Sequence, residues 1–587
     1  MAIASAPSVV SRASRAEPER APQPAPVPDG PRTGAPLSVA ALAFLRGADA
    51  DARIRALAGE RRSARLLLGA LASPLVARRR YEPLGFRSLG DYARERMGVS
   101  SVAVREWARV AEALAGLPAM LDAVALGEVS WSVARRAVGL ATPETDVAFV
   151  SALRGRTVRA AEALLAAAFG GAREQEGGAG DGEAQRERVV VRVPLSREHH
   201  GRWHAALELA RRIAGESLPV WECAEAIAAE ALAALPPSRV AEAAGLPRLG
   251  EPAAGAAPAR RARTFEAREH GLRHEAFPAL RWGAATAGAR PDLEAPRSWA
   301  QSASPHALDR ALRRMLARLQ AIEHDAGHLL RQIADRKLYV ELGFESFERY
   351  AEERADMSPR TARRRVRLAR LGPAGSAAAE ALRSATLTPR QVALVSEAAA
   401  PSQQAAIVAH ARHVTLRRLE DDLGVGDPGR AAVVFGAPRE TANVFLLALG
   451  AVRLELTAKG RASHPHGAGP QEALLWMLAH AISAWEEQGA QFDDYADFTR
   501  DGFRCTAPGC TARRNLQSHH IVFRSAGGAD EPSNRTTLCA FHHLRAVHAG
   551  TVSCRGRAPG RLVFALGVRA AGPPLLRAVS GDVLQRP

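Results

Sequence analysis

The sequence predicts a mainly α-helical, multidomain protein: two tandem helical repeats with small β pieces, then a C-terminal module tied together by metal. Three observations carry this. Apolar residues recur at helical spacing through long alanine-rich segments, one stretch of chain reappears 258 residues later, and four of the five cysteines fall with five histidines between residues 505 and 554.

The chain has 587 residues. That is too long for one core, and at roughly 100 to 200 residues per domain it implies three to five units. Hydrophobic content of 47% and charged content of 24% are those of a soluble globular protein, and aromatic content of 5% with abundant alanine favours helices. No run of about 18 uncharged apolar residues occurs, and the N-terminal apolar run is broken by Pro7. Neither a membrane span nor a signal peptide is expected, and a cytoplasmic location follows. The net charge of +17 suits a polyanionic partner. Because only Lys337 and Lys459 are lysines, however, the charge also reflects an arginine and alanine bias, so it needs a local arrangement to support it.

Composition shifts divide the chain. Residues 1–36 read as a disordered tail, 37–235 as a first helical domain, 236–303 as a Pro/Ala/Arg-rich linker, 304–490 as a second helical domain, 491–570 as the Cys/His module and 571–587 as a tail. A further Gly-rich break covers 170–188. Tyr81–Ser100 aligns with Tyr339–Ser358, ten of twenty positions being identical, and at the same offset Ser130 pairs with Thr388, Thr157 with Thr415, Arg159 with Arg417 and Glu162 with Glu420. A gap-free match of that length implies duplication. Each copy continues into a β-rich piece, VVVRVP (189–194) or AVVFGAP (432–438), and a further helix.

In the second copy, SFERYAEERADMSPRTARRRVRLARL resembles a helix-turn-helix, with Ser358 as cap and Pro359 at the first helical position. Ala362, Val366 and Ala369 form an inward stripe. Arg360, Arg363, Arg364, Arg367 and Arg370 share the neighbouring arc, where they are candidate DNA contacts, beside the alternative of a solvated face. The first copy has only Arg105 and Arg109 on the matching helix.

In the C-terminal module, Cys505-x4-Cys510 and Cys539-x2-His542 are two pairs 28 residues apart, a spacing that lets four ligands surround a tetrahedral structural zinc. His519, His520, Asn534, His543 and His548 form a second set. NLQSHHIVF alternates as a strand does, sending His519 and His520 to opposite faces, so that a twist or bulge must aim both near one site, and LCAFHHLRAVHAG reads as a short helix ended by Gly550. Gly527-Gly528 reads as a turn, TVSCRGRAPGRLVFALG as a hairpin with Cys554 in its packing, and Arg513, Arg514 and Arg524 as candidate phosphate contacts.

This string resembles the HNH endonuclease family, with its ββα-metal fold, in the variety that carries a structural zinc. The resemblance covers about residues 500–570. It implies His519 and His543 as ligands of a catalytic cation, His520 as the general base, Asn534 as the residue that holds the loop and orients His520, and His548 as a third ligand. His548 follows His543 by five residues where many members have four, one helical turn. The implied cation is magnesium or manganese, with nickel or zinc also compatible with histidine, and the implied partner is DNA. A homo-oligomer is compatible with this reading. The repeats resemble the helical domain of unknown function that precedes HNH modules in bacterial proteins. The expected activity is hydrolysis of DNA phosphodiester bonds; the alternatives are RNA cleavage and a non-catalytic DNA-binding regulator using the helix-turn-helix and zinc module as grips.

Overall fold

The computed structural model describes residues 45–175, 188–196, 199–245, 293–371, 376–423, 432–464, 467–489, 495–579 and 582–585. The expected tail at 1–36 and most of the linker, 246–292, lie outside them. The chain is mostly helical, with small antiparallel sheets. In chain order, the first half contributes α1 (Gly47–Ala77), α2 (Ser101–Ala115), α3 (Val158–Gln175), β1 (Arg188–Pro194), α4 (His200–Ala214) and α5 (Val220–Ala233). The second contributes α6 (Pro305–Asp335), α7 (Pro359–Leu371), α8 (Leu416–Asp422), β2 (Ala432–Pro438), α9 (Arg439–Ala458) and α10 (Pro470–Glu487). Further helices at Pro237–Ala244 and Glu294–Ser302 fold the two ends of the expected linker onto the body. Arg80 donates to the Ala300 and Ala303 carbonyls at 2.9 and 2.7 Å.

α1 and α6 are each 31 residues long and begin 258 residues apart. On α6, Leu308, Leu312, Met315, Leu319, Ile322, Ala326, Leu330 and Ile333 are buried at three- and four-residue spacing, and Ser304 caps a helix whose first residue is Pro305. α1 crosses α2 at Gly69, where a Cβ would stand 2.2 Å from the Trp107 carbonyl oxygen. Only glycine permits that approach. The residues that match between the halves do equivalent work. Ser88 and Ser346, Ser130 and Thr388, and Ser100 and Ser358 all accept the backbone N–H three residues on. Tyr92 and Tyr350 are both fully buried, each edge-on to the phenylalanine six residues before it.

The halves are interlocked by exchanged polar contacts. Glu95 accepts the Leu416 and Arg417 N–H groups at 2.7 and 3.1 Å at the start of α8, while Glu353 accepts Val158 N–H at 3.1 Å at the start of α3. Asp309 on α6 receives Arg96 Nε at 3.0 Å and Tyr92 Oη at 3.1 Å, and Asp51 on α1 lies 3.4 Å from Arg354 Nε. Backbone pairing repeats the exchange: β1 and β2 form one antiparallel ladder with Val191 opposite Phe435 and Val193 opposite Val433. Their buried face packs with α4, α5, α9 and α10 in one core. α9 is apolar and long enough to cross a membrane by composition alone, but half of its apolar window is buried in this core.

β3 (Leu516–His520), β4 (Arg535–Cys539) and the short helix α11 (Phe541–Val547) follow, then a four-stranded antiparallel sheet of β5 (Val552–Arg557), β6 (Arg561–Leu566), β7 (Leu576–Val579) and β8 (Val583–Gln585). The hairpin expected around Cys554 is β5–β6, and burial pushes the Cys554 thiol up to about 12. Residues 571–587, expected as a tail, supply β7 and β8 instead. Their runs are short, and they are held by outside partners: Thr415 N–H donates to the Asp582 carbonyl at 2.9 Å and Leu584 N–H to the His413 carbonyl at 2.7 Å.

Asp309 is 1% exposed, so Asp309→Ala leaves Arg96 buried without its partner and is expected to cost about 3–5 kcal/mol by denaturant unfolding. The exposed Glu380–Arg383 pair is the control: Glu380→Ala is expected to cost under about 1 kcal/mol. Equal effects of the two substitutions would contradict the exchanged-contact account.

Candidate metal centre

Among the described residues, two clusters of metal-ligating side chains lie on the hairpin β3–β4, α11 and the knuckle that precedes them. The first is Cys505, Cys510, Cys539 and His542, all buried, with donor atoms within 4.8 Å of one another. Cys505 and Cys510 sit in a tight knuckle, where Cys505 N–H donates to the Ala512 carbonyl at 3.0 Å and Cys510 N–H to the Ala507 carbonyl at 3.1 Å. Cys539 ends β4, and His542 lies in the first turn of α11. The His542 Nδ1 is 3.5 Å from Cys505 Sγ and 3.3 Å from Cys539 Sγ. Zinc–sulfur and zinc–nitrogen bonds of about 2.3 and 2.0 Å in a tetrahedron require an S···N edge of about 3.5 Å. The cluster can therefore hold a structural metal such as zinc. His542 Nε2 donates to the Gly85 carbonyl at 3.0 Å, which fixes the tautomer and leaves Nδ1 as the ligand.

That knuckle is seated in the helical body. Arg417, buried at the start of α8, donates to the Cys505 and Cys510 carbonyls at 3.0 and 2.6 Å and pairs with Asp582, whose other oxygen accepts Gly509 N–H at 2.8 Å. Thr511 donates to Asp91 at 2.7 Å. Gly509 lies against Glu95, the residue that caps α8. None of Gly85, Arg417 or Asp582 stands out in the sequence as a partner of the module, though Arg417 was conspicuous as a residue shared by both copies.

The second cluster is His519, His543 and His548, again with donor atoms within 4.8 Å. His519 is 1% exposed, and neither ring nitrogen has a hydrogen-bond partner among the described residues. Burial, with His543 and His548 beside it, pushes its pKa down to about 4, so at neutral pH the imidazole is uncharged and offers a lone pair. An unpartnered buried imidazole is costly unless something coordinates it. The His543 ring lies 5.0 Å from the His519 ring, and its Nδ1 donates to Gln517 Oε1 at 2.8 Å, leaving Nε2 as the available donor. Gln517 precedes His519 by two residues on β3 and thus shares its face, a signal the sequence carried but the motif does not include.

The five-residue spacing of His543 and His548 is resolved by the winding of α11. His548 N–H bonds to the His543 carbonyl at 3.1 Å, five residues back, so α11 makes a π turn. One π turn spans five residues, and it brings the two rings edge to face 4.9 Å apart. Phe523, itself 38% exposed, lies 5.1 Å from the His548 ring and forms an apolar wall.

His520, opposite Arg535 in the ladder, faces away from His519 as alternation requires. Its Nε2 lies 3.0 Å from Asp530 Oδ1, and Arg524 contacts both residues. Asn534 does hold the loop: Oδ1 accepts Val522 N–H at 2.8 Å, and Nδ2 donates to the Val522 and Ala529 carbonyls at 3.1 and 2.8 Å. The side chain that meets His520 is Asp530 rather than Asn534, a correction to the sequence expectation. A Cβ on Gly528 would lie 1.9 Å from the Val522 carbonyl oxygen, so glycine is required for this loop to close. Behind the hairpin, buried Asp497 accepts Ser518 Oγ at 2.8 Å and pairs with Arg535 at 3.1 Å.

The arginines expected at DNA are differently placed. On α7, Ala362, Val366 and Ala369 are buried as the stripe implies. Arg363 pairs with Glu348, Arg367 with Glu397 and Arg370 with Asp335, while Arg360 is exposed and Arg364 faces a cleft. The turn of the helix-turn-helix is buried: Ala355, Asp356 and Met357 are at most 6% exposed, and Asp356 accepts Trp131 N–H from the first half at 3.0 Å. Arg513 ties the knuckle by donating to the Gly502 carbonyl at 2.9 Å, whereas Arg514 is exposed.

No family model, curated protein or solved structure matches this chain.

The geometry of the first cluster has a measurable consequence. Purified protein is expected to retain one zinc per chain through dialysis, by elemental analysis, and Cys539→Ser is expected to lose it with a fall in stability of several kcal/mol. Unchanged stability after zinc removal would show that the knuckle folds without metal.

Proposed function

We propose that the chain is a metal-dependent endonuclease of the HNH type that hydrolyses DNA phosphodiester bonds. The observation that carries this reading is the histidine cluster: His519, buried and without a hydrogen bond, meets His543 and His548 beside a separate, carboxylate-held His520. Hydrolysis of a phosphodiester needs a base for water, charge stabilisation at the phosphate and leaving oxygen, and a rigid frame. His520 serves as the base. Asp530 Oδ1 at 3.0 Å and Arg524 Nε at 3.2 Å both meet its Nε2 and orient the ring, whose unprotonated nitrogen takes the proton of the attacking water. Asn534 and Gly528 hold the loop from which Asp530 reaches His520. His519, His543 and His548 would hold the divalent cation, which supplies charge stabilisation when bound. Gln517 keeps the His543 donor directed at the cluster, and Phe523 limits water on one side. Three imidazoles make a softer donor set than magnesium prefers, which moves manganese, nickel and zinc ahead of it. DNA is the substrate on the strength of the module's resemblance and the basic chain.

Supercoiled plasmid, incubated with each of the four cations, tests the proposal. Wild type is expected to nick it with at least one, His520→Ala to be slower by about 10²–10⁴-fold with cation binding retained, and His548→Ala to need more cation. Matched RNA should remain intact. Plasmid untouched under every cation, or cut equally by wild type and His520→Ala, would refute the mechanism.

A further inference from the structure

A cleft of about 740 Å³ lies between the two halves, lined by no member of either metal cluster, and seven arginines line it with three carboxylates. Five of the arginines are held in ion pairs, Arg65 and Arg365 with Glu323, Arg135 with Glu106, and Arg94 and Arg390 with Glu420, which leaves Arg61 and Arg364. Its lining includes equivalent positions: Ser100 and Ser358, Gly98 and Asp356, and Glu106 and Trp107 on α2, which correspond at the 258-residue offset to Arg364 and Arg365 on α7. The duplication has therefore diverged here in a specific way. The second half presents guanidinium groups where the first presents a carboxylate and an indole.

Two further features favour an anion. Arg61 is 1% exposed, and its Nε and Nη1 are buried without a hydrogen-bond partner among the described residues, while Nη2 donates to the Asp356 carbonyl. Such a group is expensive to bury unless an anion approaches it. Burial first, then neighbouring Arg65, holds its pKa well below the usual guanidinium value. In addition, α2, α7 and the ten-residue helix Pro389–Ala398 all present their N-terminal ends to the cleft, through Ser101, Thr361 and Arg390. Arg364 is exposed at the rim and makes no ion pair among the described residues. Trp107 and Trp131, both from the first half, also line the cleft, with the Arg65 guanidinium over the Trp131 ring at 5.6 Å.

We propose that this cleft binds a nucleoside di- or triphosphate, with the phosphates at Arg61 and Arg364 and the base beside Trp107. The volume is that of a small-ligand site, and tryptophan beside arginine in the lining favours a nucleotide over a simple phosphate. This inference does not depend on the nuclease reading, because its test measures binding.

Titration calorimetry on the full chain, with ATP, ADP, inorganic triphosphate and adenosine as separate titrants, decides it. One ATP per chain is expected, bound about tenfold or more tightly than triphosphate or adenosine. Arg364→Ala, an exposed substitution, is expected to weaken ATP about tenfold without changing the melting temperature of the free protein. Arg61→Leu is expected to stay folded, since it removes an unpartnered buried charge, and to lose the rise in melting temperature that ATP gives wild type. His520→Ala should bind ATP as wild type does, which separates the cleft from the metal centre. No binding of any titrant at millimolar concentration, triphosphate equal to ATP, or affinity unchanged in both arginine variants would overturn the proposal.

Discussion

Glu95 and Glu353 each cap a helix that belongs to the other half of the chain, and Asp309 and Asp51 each hold the other half's arginine. Since Asp309, Asp51, Tyr92 and Tyr350 are buried, neither half can be withdrawn without stranding polar groups in a low-dielectric core. This exchange makes the two halves one body. It also sets where the C-terminal module sits: Glu95 lies against Gly509 of the cysteine knuckle, and Arg417, whose N–H Glu95 caps, holds the Cys505 and Cys510 carbonyls.

From that seat the chemistry of the module follows. Gly85, in a loop of the first half, accepts from His542 and so fixes which nitrogen faces the three thiols. At the matching Gly343 an added Cβ would meet nothing within 4 Å among the described residues, so the two halves are used unequally, one of them as a seat for the module. With His542 tied down, α11 starts in a defined orientation and its π turn brings His548 onto His543. The arrangement thus runs from exchanged carboxylates to knuckle, from knuckle to helix, and from helix to the histidine cluster.

Much of this was legible in the sequence because it is carried by local rules. The Ser and Thr caps, the paired ligand spacings and the alternation that separates His519 from His520 each depend on a few neighbouring residues. What was not legible depends on residues distant in sequence or on a local winding with no compositional mark. Asp530 meets His520 only because Asn534 and Gly528 fold an exposed loop back on itself. The π turn of α11 has no sequence signature, so a four-residue period made His548 look out of place. The arginines of α7 looked free because their carboxylate partners, Glu348, Glu397 and Asp335, lie on other helices. β7 and β8 were missed since their short runs are strands only when the rest of the sheet is present.

The central claim is that one small module carries two chemically different metal sites, a closed one of three thiols and an imidazole and an open one of three imidazoles. X-ray absorption at the zinc and nickel edges, on protein purified with zinc and then loaded with nickel, tests it most directly. Zinc in a sulfur-rich shell and nickel in a sulfur-free nitrogen and oxygen shell, the nickel lost in His519→Ala and the zinc kept, is the expected result. Nickel found only with sulfur ligands, or bound equally by His519→Ala, would contradict it.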